Sequence, residues 1–158
     1  MSNPALVYNF AVSLVASSTV LDAVIGLIQP SPAAGFSECS GLESTLEAEE
    51  YKEGGNNGAP LRFPTRTTWA NIRLRRGVAL SPDLWQWHAD FAAGVGARRD
   101  GVITLQDNLH RPVCVWSFIR GLPVKWVGPQ LNATQSQVAI EELEIAHEGM
   151  SMLFIGAQ

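Results

Sequence analysis

The chain has 158 residues, 46% of them hydrophobic, enough for a single domain (1–158) with its own core and too few for two of ordinary size. A net charge of −4 removes the broad basic footprint of a dedicated nucleic-acid binder. Two cysteines, Cys39 and Cys114, lie far apart without CxxC or Cys/His spacing, so they support neither a zinc site nor a disulfide framework and read as small packing residues.

The N-terminus, MSNPALVYNFAVSLVASS, lacks a basic n-region, so synthesis in the cytoplasm without a signal peptide is expected. Residues Ala5 to Val15 read as a strand with Phe10, Val12 and Leu14 on one face. Ala16 to Ala34 is a variable loop with a helical turn, ended by Pro30 and Pro32. Its most apolar window, Val20 to Ile28, carries Asp22 and Gly26 and falls short of the ~20 residues needed to cross a bilayer, so no stable membrane anchor is expected. A short strand, Gly35 to Ser40, precedes a bend or bulge at Gly41.

From Leu42 to Tyr51 side chains alternate, with Leu42, Ser44, Leu46 and Ala48 on one face and Glu43, Thr45, Glu47 and Glu49 on the other. A long glycine-rich loop without structure of its own then runs from about Lys52 to Thr67, a length that marks functional connections. Its central KEGGNNGAP holds no nucleophile, base or metal cluster, which points to assembly and away from catalysis.

Thr68 to Val78 is the basic counterpart of the acidic strand, with Ala70, Ile72 and Leu74 facing one way and Asn71, Arg73 and Arg75 the other. One helix follows, with Ser81 as N-cap, Pro82 at its first position and Asp83 in its first turn. Leu84, Trp87, Phe91 and Val95 mark its buried face, and Gly94 or Gly96 its end. Gly101 to Gln106 and Arg111 to Ile119 form a hairpin around Asp107-Asn108-Leu109-His110, the second strand buried on both sides. Its continuation through Pro123 to Val127 must be kinked or at an edge. The final strand, Gln137 to His147, shifts its apolar phase between Ile140 and Leu143, which calls for a bulge near Glu141 and Glu142. About seven strands with one flanking helix, and no helix between successive strands, give a mainly β fold: an antiparallel β-barrel or sandwich.

Chemistry-bearing residues do not gather. His88 and Asp90 are two apart and do not share a helix face, His110 lies in a turn, and period two puts Glu144 and Glu148 opposite His147. Catalytic residues, a metal and cofactors are therefore all expected to be absent. Trp69, Trp85, Trp87, Trp116 and Trp126 could make a sugar-binding platform, the alternative of a soluble carbohydrate-binding module, but each falls in a strand or helix pattern that suits a core or interface role.

Taken in order, GFSECSGLE (Gly35 to Glu43), EEYKEGG (Glu49 to Gly55), NIRLRRGVALSPDLWQWH (Asn71 to His88), RRDGVITLQD (Arg98 to Asp107), GLPVKWVGPQLNA (Gly121 to Ala133) and VAIEELEIAHEG (Val138 to Gly149) carry a resemblance over nearly the whole chain. It resembles the tail-tube proteins of contractile phages and the inner-tube proteins of extracellular contractile injection systems, similar in fold to the Hcp tube of type VI secretion. The resemblance implies a non-enzymatic subunit, in a phage tail or tail-like particle, that forms hexameric rings stacked into a rigid tube. Its implied partners are other copies of itself, sheath protein, baseplate and spike proteins, a tube-terminating cap, and a lumenal cargo protein or DNA. A tube-initiating baseplate protein of the same fold is the nearest alternative. Ala16 to Ala34 departs from the shorter members, being longer than the tight turn expected there.

Two sets of contact residues follow. Lys52, Glu53, Gly54, Gly55, Asn56, Asn57, Gly58, Leu61 and Phe63 are expected to reach an adjacent subunit or ring, with Leu61 and Phe63 as apolar anchors and the glycines allowing close backbone approach. The acidic face (Glu43, Glu47, Glu49) and the basic face (Arg73, Arg75) are expected to line the lumen or to meet across the stacking interface.

Overall fold

The computed structural model describes residues 9–16, 35–55, 58–78 and 82–156. Among these residues the strands are β1 (Phe10–Ala16), β2 (Phe36–Ser40), β3 (Ser44–Tyr51), β4 (Leu61–Trp69), β5 (Ile72–Gly77), β6 (Arg99–Gln106), β7 (Pro112–Val127), β8 (Ile140–Ala146) and β9 (Gly149–Phe154), and a helix, α1 (Asp83–Ala92), lies between β5 and β6. Seven strands form one antiparallel sheet in the order β1-β6-β7-β8-β5-β2, with β9 also on β7, while β3 and β4 pair only with each other. Among the described residues no ladder joins β1 to β2, so the sheet folds over without closing into a barrel.

The fold-over happens inside β7. Its first half pairs with β6 and β9, and from Leu122 onward it pairs with β8. The change of partner falls at Arg120, a non-glycine residue with φ of 53°, whose backbone N–H donates to Asp100 Oδ1 at 2.9 Å where β6 slips register. Pro123 lies just beyond this kink, as its missing donor requires. The tight turn before β7 is held by Asp107. Its carboxylate accepts from the Arg111 and Leu109 backbone N–H groups and from Arg111 Nε, and lies below the usual carboxylate range, chiefly because of the Arg111 backbone bond.

The core fills the space between the two halves of the sheet. Val12, Ile103 and Phe118 from one half meet Ile72, Leu74, Leu143 and Ile145 from the other, and Leu84 and Trp87 of α1 complete the cluster. Burying a side chain of this size contributes ~1.5–3 kcal/mol. The Trp87 indole N–H donates to the Ala97 carbonyl at 2.8 Å, and His88 Nδ1–H donates to the Pro123 carbonyl at 2.9 Å, which ties α1 to β7. Pro82 sits at the cap position, one residue earlier than expected, and Ser81 lies outside the described residues. The helix ends at Gly94, with φ of 78°. Val95 N–H reaches the Asp90 carbonyl and Gly94 N–H that of Phe91, a Schellman closure. Leu84 and Trp87 are buried and Phe91 is half-buried, but Val95 lies past this closure and is exposed.

Five sequence expectations change. Leu61 to Trp69 is a strand, so the loop expected from Lys52 to Thr67 shrinks to the tip of a β3–β4 hairpin, and the strand expected over Thr68 to Val78 is split near Ala70. The strand to His147 is not the last, since β9 follows it and covers the other side of β7. Of β7, Val113, Cys114, Val115 and Phe118 are buried, but Ile119 is exposed, so burial on both sides is confined to its first residues. No bulge occurs at Glu141 and Glu142, where β5 and β8 pair without a break. Glu141 instead keeps the inward phase of Leu143 and Ile145, directly opposite Arg76, which keeps that of Ile72 and Leu74. The loop expected over Ala16 to Ala34 lies, apart from Ala16, outside the described residues.

Arg76 is 2% exposed, and its Nε donates to Glu141 Oε1 at 2.6 Å while Nη2 donates to Asp83 Oδ1 at 2.5 Å. Trp126 Nε1–H supplies Glu141 Oε2 at 3.1 Å, and the Phe36 ring lies 5.7 Å from the guanidinium. Burial alone would lower the Arg76 pKa, but the bonds to Asp83 and Glu141 outweigh it and raise the pKa, so the arginine remains charged. Removing one partner of a buried pair costs about 3–5 kcal/mol. Arg76→Ala or Glu141→Ala should therefore lower the unfolding free energy by about that amount in urea titration, whereas Arg76→Met combined with Glu141→Leu should recover most of the loss.

Candidate assembly surface

The β3–β4 hairpin projects from the sandwich with almost no cover. The register pairs Tyr51 with Leu61 and Glu49 with Phe63, so Tyr51, Leu61 and Phe63 share one face, and they are 57%, 43% and 53% exposed. Leu46, also exposed, lies on the opposite face because β3 alternates without interruption. A bulge in β4 opposite Glu47 lets Thr65 Oγ1 donate to the Glu47 carbonyl and Arg66 pair with its carboxylate at 2.6 Å. Arg62 pairs with Glu50 at 3.1 Å. These exposed pairs contribute at most ~1 kcal/mol each, and an isolated two-stranded hairpin is marginal in water.

At the tip, Lys52, Glu53, Gly54 and Gly55 follow β3, and Gly58 leads back toward β4. Gly55 has φ of 98°, and a side chain built at Gly54 or Gly55 would meet nothing within 4 Å. These two glycines face open space in the single chain. Leu61 and Phe63 are strand residues on the same apolar face, while Asn56 and Asn57 lie outside the described residues.

The base of the hairpin, by contrast, is clamped. Gly41 has φ of 88°, and a Cβ there would stand 2.0 Å from the Asn71 carbonyl oxygen, so the two strands crossing at the base need glycine. Glu43 N–H donates to the Gly41 carbonyl and Ala70 N–H to that of Glu43. His147 Nε2 lies 3.1 Å from the Ala70 carbonyl, which places the proton of the neutral ring on Nε2. That ring sits between Trp69, at 5.9 Å, and Phe118 of the core, at 5.6 Å. One side chain thus joins the hairpin base to the sandwich.

The residues expected to form lumenal or stacking faces do not make two opposed faces. Glu43 and Arg73 line one polar hollow of about 350 Å³ at the hairpin base with Asn71 and Glu144. Glu47 and Glu49 lie farther out along β3. Arg73 pairs with Glu144 at 3.7 Å, and Arg75 with Glu38 at 3.0 Å and Glu142 at 3.5 Å, so both arginines meet carboxylates of their own sheet. Period-two reading of β3 and β5 placed their side chains but carried no signal for which strand lies beside which.

Among the described residues no group of three or more His, Cys, Asp and Glu is arranged to hold a metal ion. Glu144 is taken up by Arg73 and Asn71, and Glu148 by Arg98 and Arg120. Burial pushes the Cys39 thiol up to about 11, so it is protonated at neutral pH, and Cys114 is buried. The five tryptophans do not share one face: Trp87 is in the core, Trp116 and Trp126 pack against it, Trp85 is exposed on α1 with its ring 4.8 Å from that of Trp126, and Trp69 is at the hairpin base.

The T4-like virus tail tube protein gp19 family model matches residues 7–151. A chain from the cryo-EM structure of the anti-feeding prophage baseplate, 6-fold symmetrised, is 29% identical with a TM-score of 0.80, over 98% of this chain and 99% of that one. A chain from the extended PVC sheath-tube complex of an extracellular contractile injection system is 22% identical with a TM-score of 0.78, over 96% and 93%. A chain from the anti-feeding prophage tube-terminating cap is 19% identical with a TM-score of 0.78, over 98% and 93%. Among curated proteins none matches by sequence.

If His147 clamps the hairpin base, His147→Ala should lower stability by roughly 1–3 kcal/mol, read from the urea midpoint, and speed amide exchange at Trp69 to Ile72.

Proposed function

This chain belongs to the T4-like virus tail tube protein family, and from that premise we propose that it is a structural subunit of the inner tube of a contractile injection system or contractile phage tail. Copies assemble into hexameric rings that stack into a hollow, rigid conduit, and contraction of a surrounding sheath drives this conduit through the target envelope. Its partners are further copies of itself, the sheath, a baseplate and spike, a terminating cap and a lumenal cargo, protein or DNA. It acts by assembling and performs no catalysis. No helix among the described residues is long and apolar enough to cross a membrane.

The observation that carries this reading is the β3–β4 hairpin. It presents Tyr51, Leu61 and Phe63 to solvent and, among the described residues, has no hydrogen-bonded ladder to the rest of the fold. Such a surface gains from a neighbour what it lacks within its own fold. A contact between two different patches, repeated around a closed rotation, makes a ring, and repeated along an axis it makes a filament. The arm runs from Lys52 to Phe63, with Leu61 and Phe63 as its anchors and its tip glycines admitting the neighbour's backbone.

Glu43, Glu47 and Glu49 give the arm an acidic character, and together with Arg73 and Arg75 they line the lumen or meet across stacked rings. The intrachain partners of Arg73, Arg75 and Glu47 weaken the pairing half of that proposal. Salt decides it: inter-ring pairing requires assembly to weaken as the screening length falls to ~10 Å near 0.1 M. Assembly by light scattering that is indifferent to salt would remove pairing and leave the lumenal role.

The second reading, a tube-initiating baseplate protein, is supported by the 29% identity to a chain from a baseplate structure. Electron microscopy of the purified protein separates the two. Long six-fold tubes support the tube subunit, and isolated rings support the baseplate role. Deleting Gly54 to Ala59 should abolish or strongly shorten the assemblies, and tubes of normal length and number would show that the arm is not the contact.

A further inference from the structure

The core face of the half-sheet β1-β6-β7-β9 continues past the part that the sandwich covers. Cross-strand register aligns Val12, Ile103, Trp116 and Met152 in one row and Phe10, Leu105, Cys114 and Phe154 in the next. Residues in such rows share a face. Val12 and Ile103 are buried and Trp116 is half-buried, yet Met152 is 63% exposed; Cys114 is buried, yet Phe154 is 67% exposed. The outer edge of β9 has no ladder partner among the described residues. Here a sheet edge and two apolar rows stop together in solvent.

On the assumption that the β3–β4 hairpin is an inter-subunit arm, we infer that its apolar face seats on this corner of a second copy, with β4 beside β9 and Leu61 and Phe63 against Met152 and Phe154. Three observations favour this occupant. The spacing agrees, because Leu61 and Phe63 stand two residues apart on one face of a strand, as do Met152 and Phe154, so a β4 beside β9 prolongs both rows. Both surfaces are exposed in the same chain, so the arm does not cover its own corner. Both strands also have backbone groups available along an edge, which permits strand addition.

The expected burial explains the form of the assembly. Two or three half-exposed side chains of this kind give on the order of 300 Å² of apolar contact per side, below the ~800 Å² per partner of a stable isolated pair. One such contact is weak. Because arm and corner are different patches, every copy that accepts an arm also offers one, and the contact gains strength by repetition.

Two variants test this, Leu61→Asp with Phe63→Asp on the arm and Met152→Asp with Phe154→Asp on the corner. All four positions are exposed, so the melting curves of the monomers should match that of the parent chain; if either double variant melts early, Phe63→Ser and Phe154→Ser replace it. Each variant alone should lose at least tenfold of its sedimentable polymer. Mixed in equal amounts at high concentration and chemically cross-linked, they should give a one-to-one complex joining the arm of the corner variant to the corner of the arm variant, because covalent capture registers a contact too weak to last as an isolated pair. If the arm variant fails to polymerise while the corner variant polymerises normally, the corner assignment is wrong and the arm reading stands. If both polymerise normally, the arm reading falls as well. Loss of polymer in both without a mixed complex also overturns the pairing of these two patches.

Discussion

One strand belongs to both halves of this fold, and the rest of the structure follows from that sharing. β7 runs for 16 residues, pairs with β6 and β9 through its first half and with β8 through its second, and changes partner at Arg120. The bend turns the two half-sheets toward each other, which brings Phe118 against Ile72 and Ile145 and leaves room for Leu84 and Trp87 of α1. The helix is held from two sides, by Asp83 on Arg76 and by His88 on the Pro123 carbonyl. The buried Arg76–Glu141 pair fixes β5 against β8 in one register, since a slip by one residue would strand both charges.

A sandwich closed at one strand covers only part of what the chain presents. The β3–β4 hairpin leaves the body at a clamped base and carries Tyr51, Leu61 and Phe63 into solvent. At the β9 edge, the rows of the core face run out at Met152 and Phe154. In a solitary globular protein two such regions would be liabilities for aggregation. In the tube subunit proposed above, the same exposed surfaces would serve ordered growth. The clamp around Gly41, Ala70 and His147 ties the hairpin base to the sandwich.

Much of the sandwich was legible in the sequence because its strands obey a period of two with one buried face. Phe10, Val12 and Leu14, then Ile72 and Leu74, lie inward as their alternation requires, and the Asp107 to His110 turn joins the strands expected on either side. The failures have physical causes. β4 reads LRFPTRTTW, with a proline, threonines and almost no burial, so no alternation of buried and exposed residues marks it as a strand. β9 reads GMSMLF, in which Met150, Met152 and Phe154 alternate but Leu153 breaks the pattern and the strand is only six residues long. Arg76 and Glu141 were in the correct phase for burial, but a charge at an inward position reads as an error of register until its partner is seen across the ladder. The hairpin was recognisable as a candidate arm through its length and lack of chemistry; the corner at β9 was not, since it exists only once the cross-strand rows are known.

As a tube subunit, the chain would obtain for its hairpin, from another copy, the packing its own fold does not give it. Hydrogen–deuterium exchange of Ser44–Tyr51 and Leu61–Trp69, compared between monomer and assembled tube, measures this directly. The account predicts fast exchange of these amides in the monomer, well ahead of β5 and β8, and strong protection on assembly. Equal exchange in the two states would contradict it.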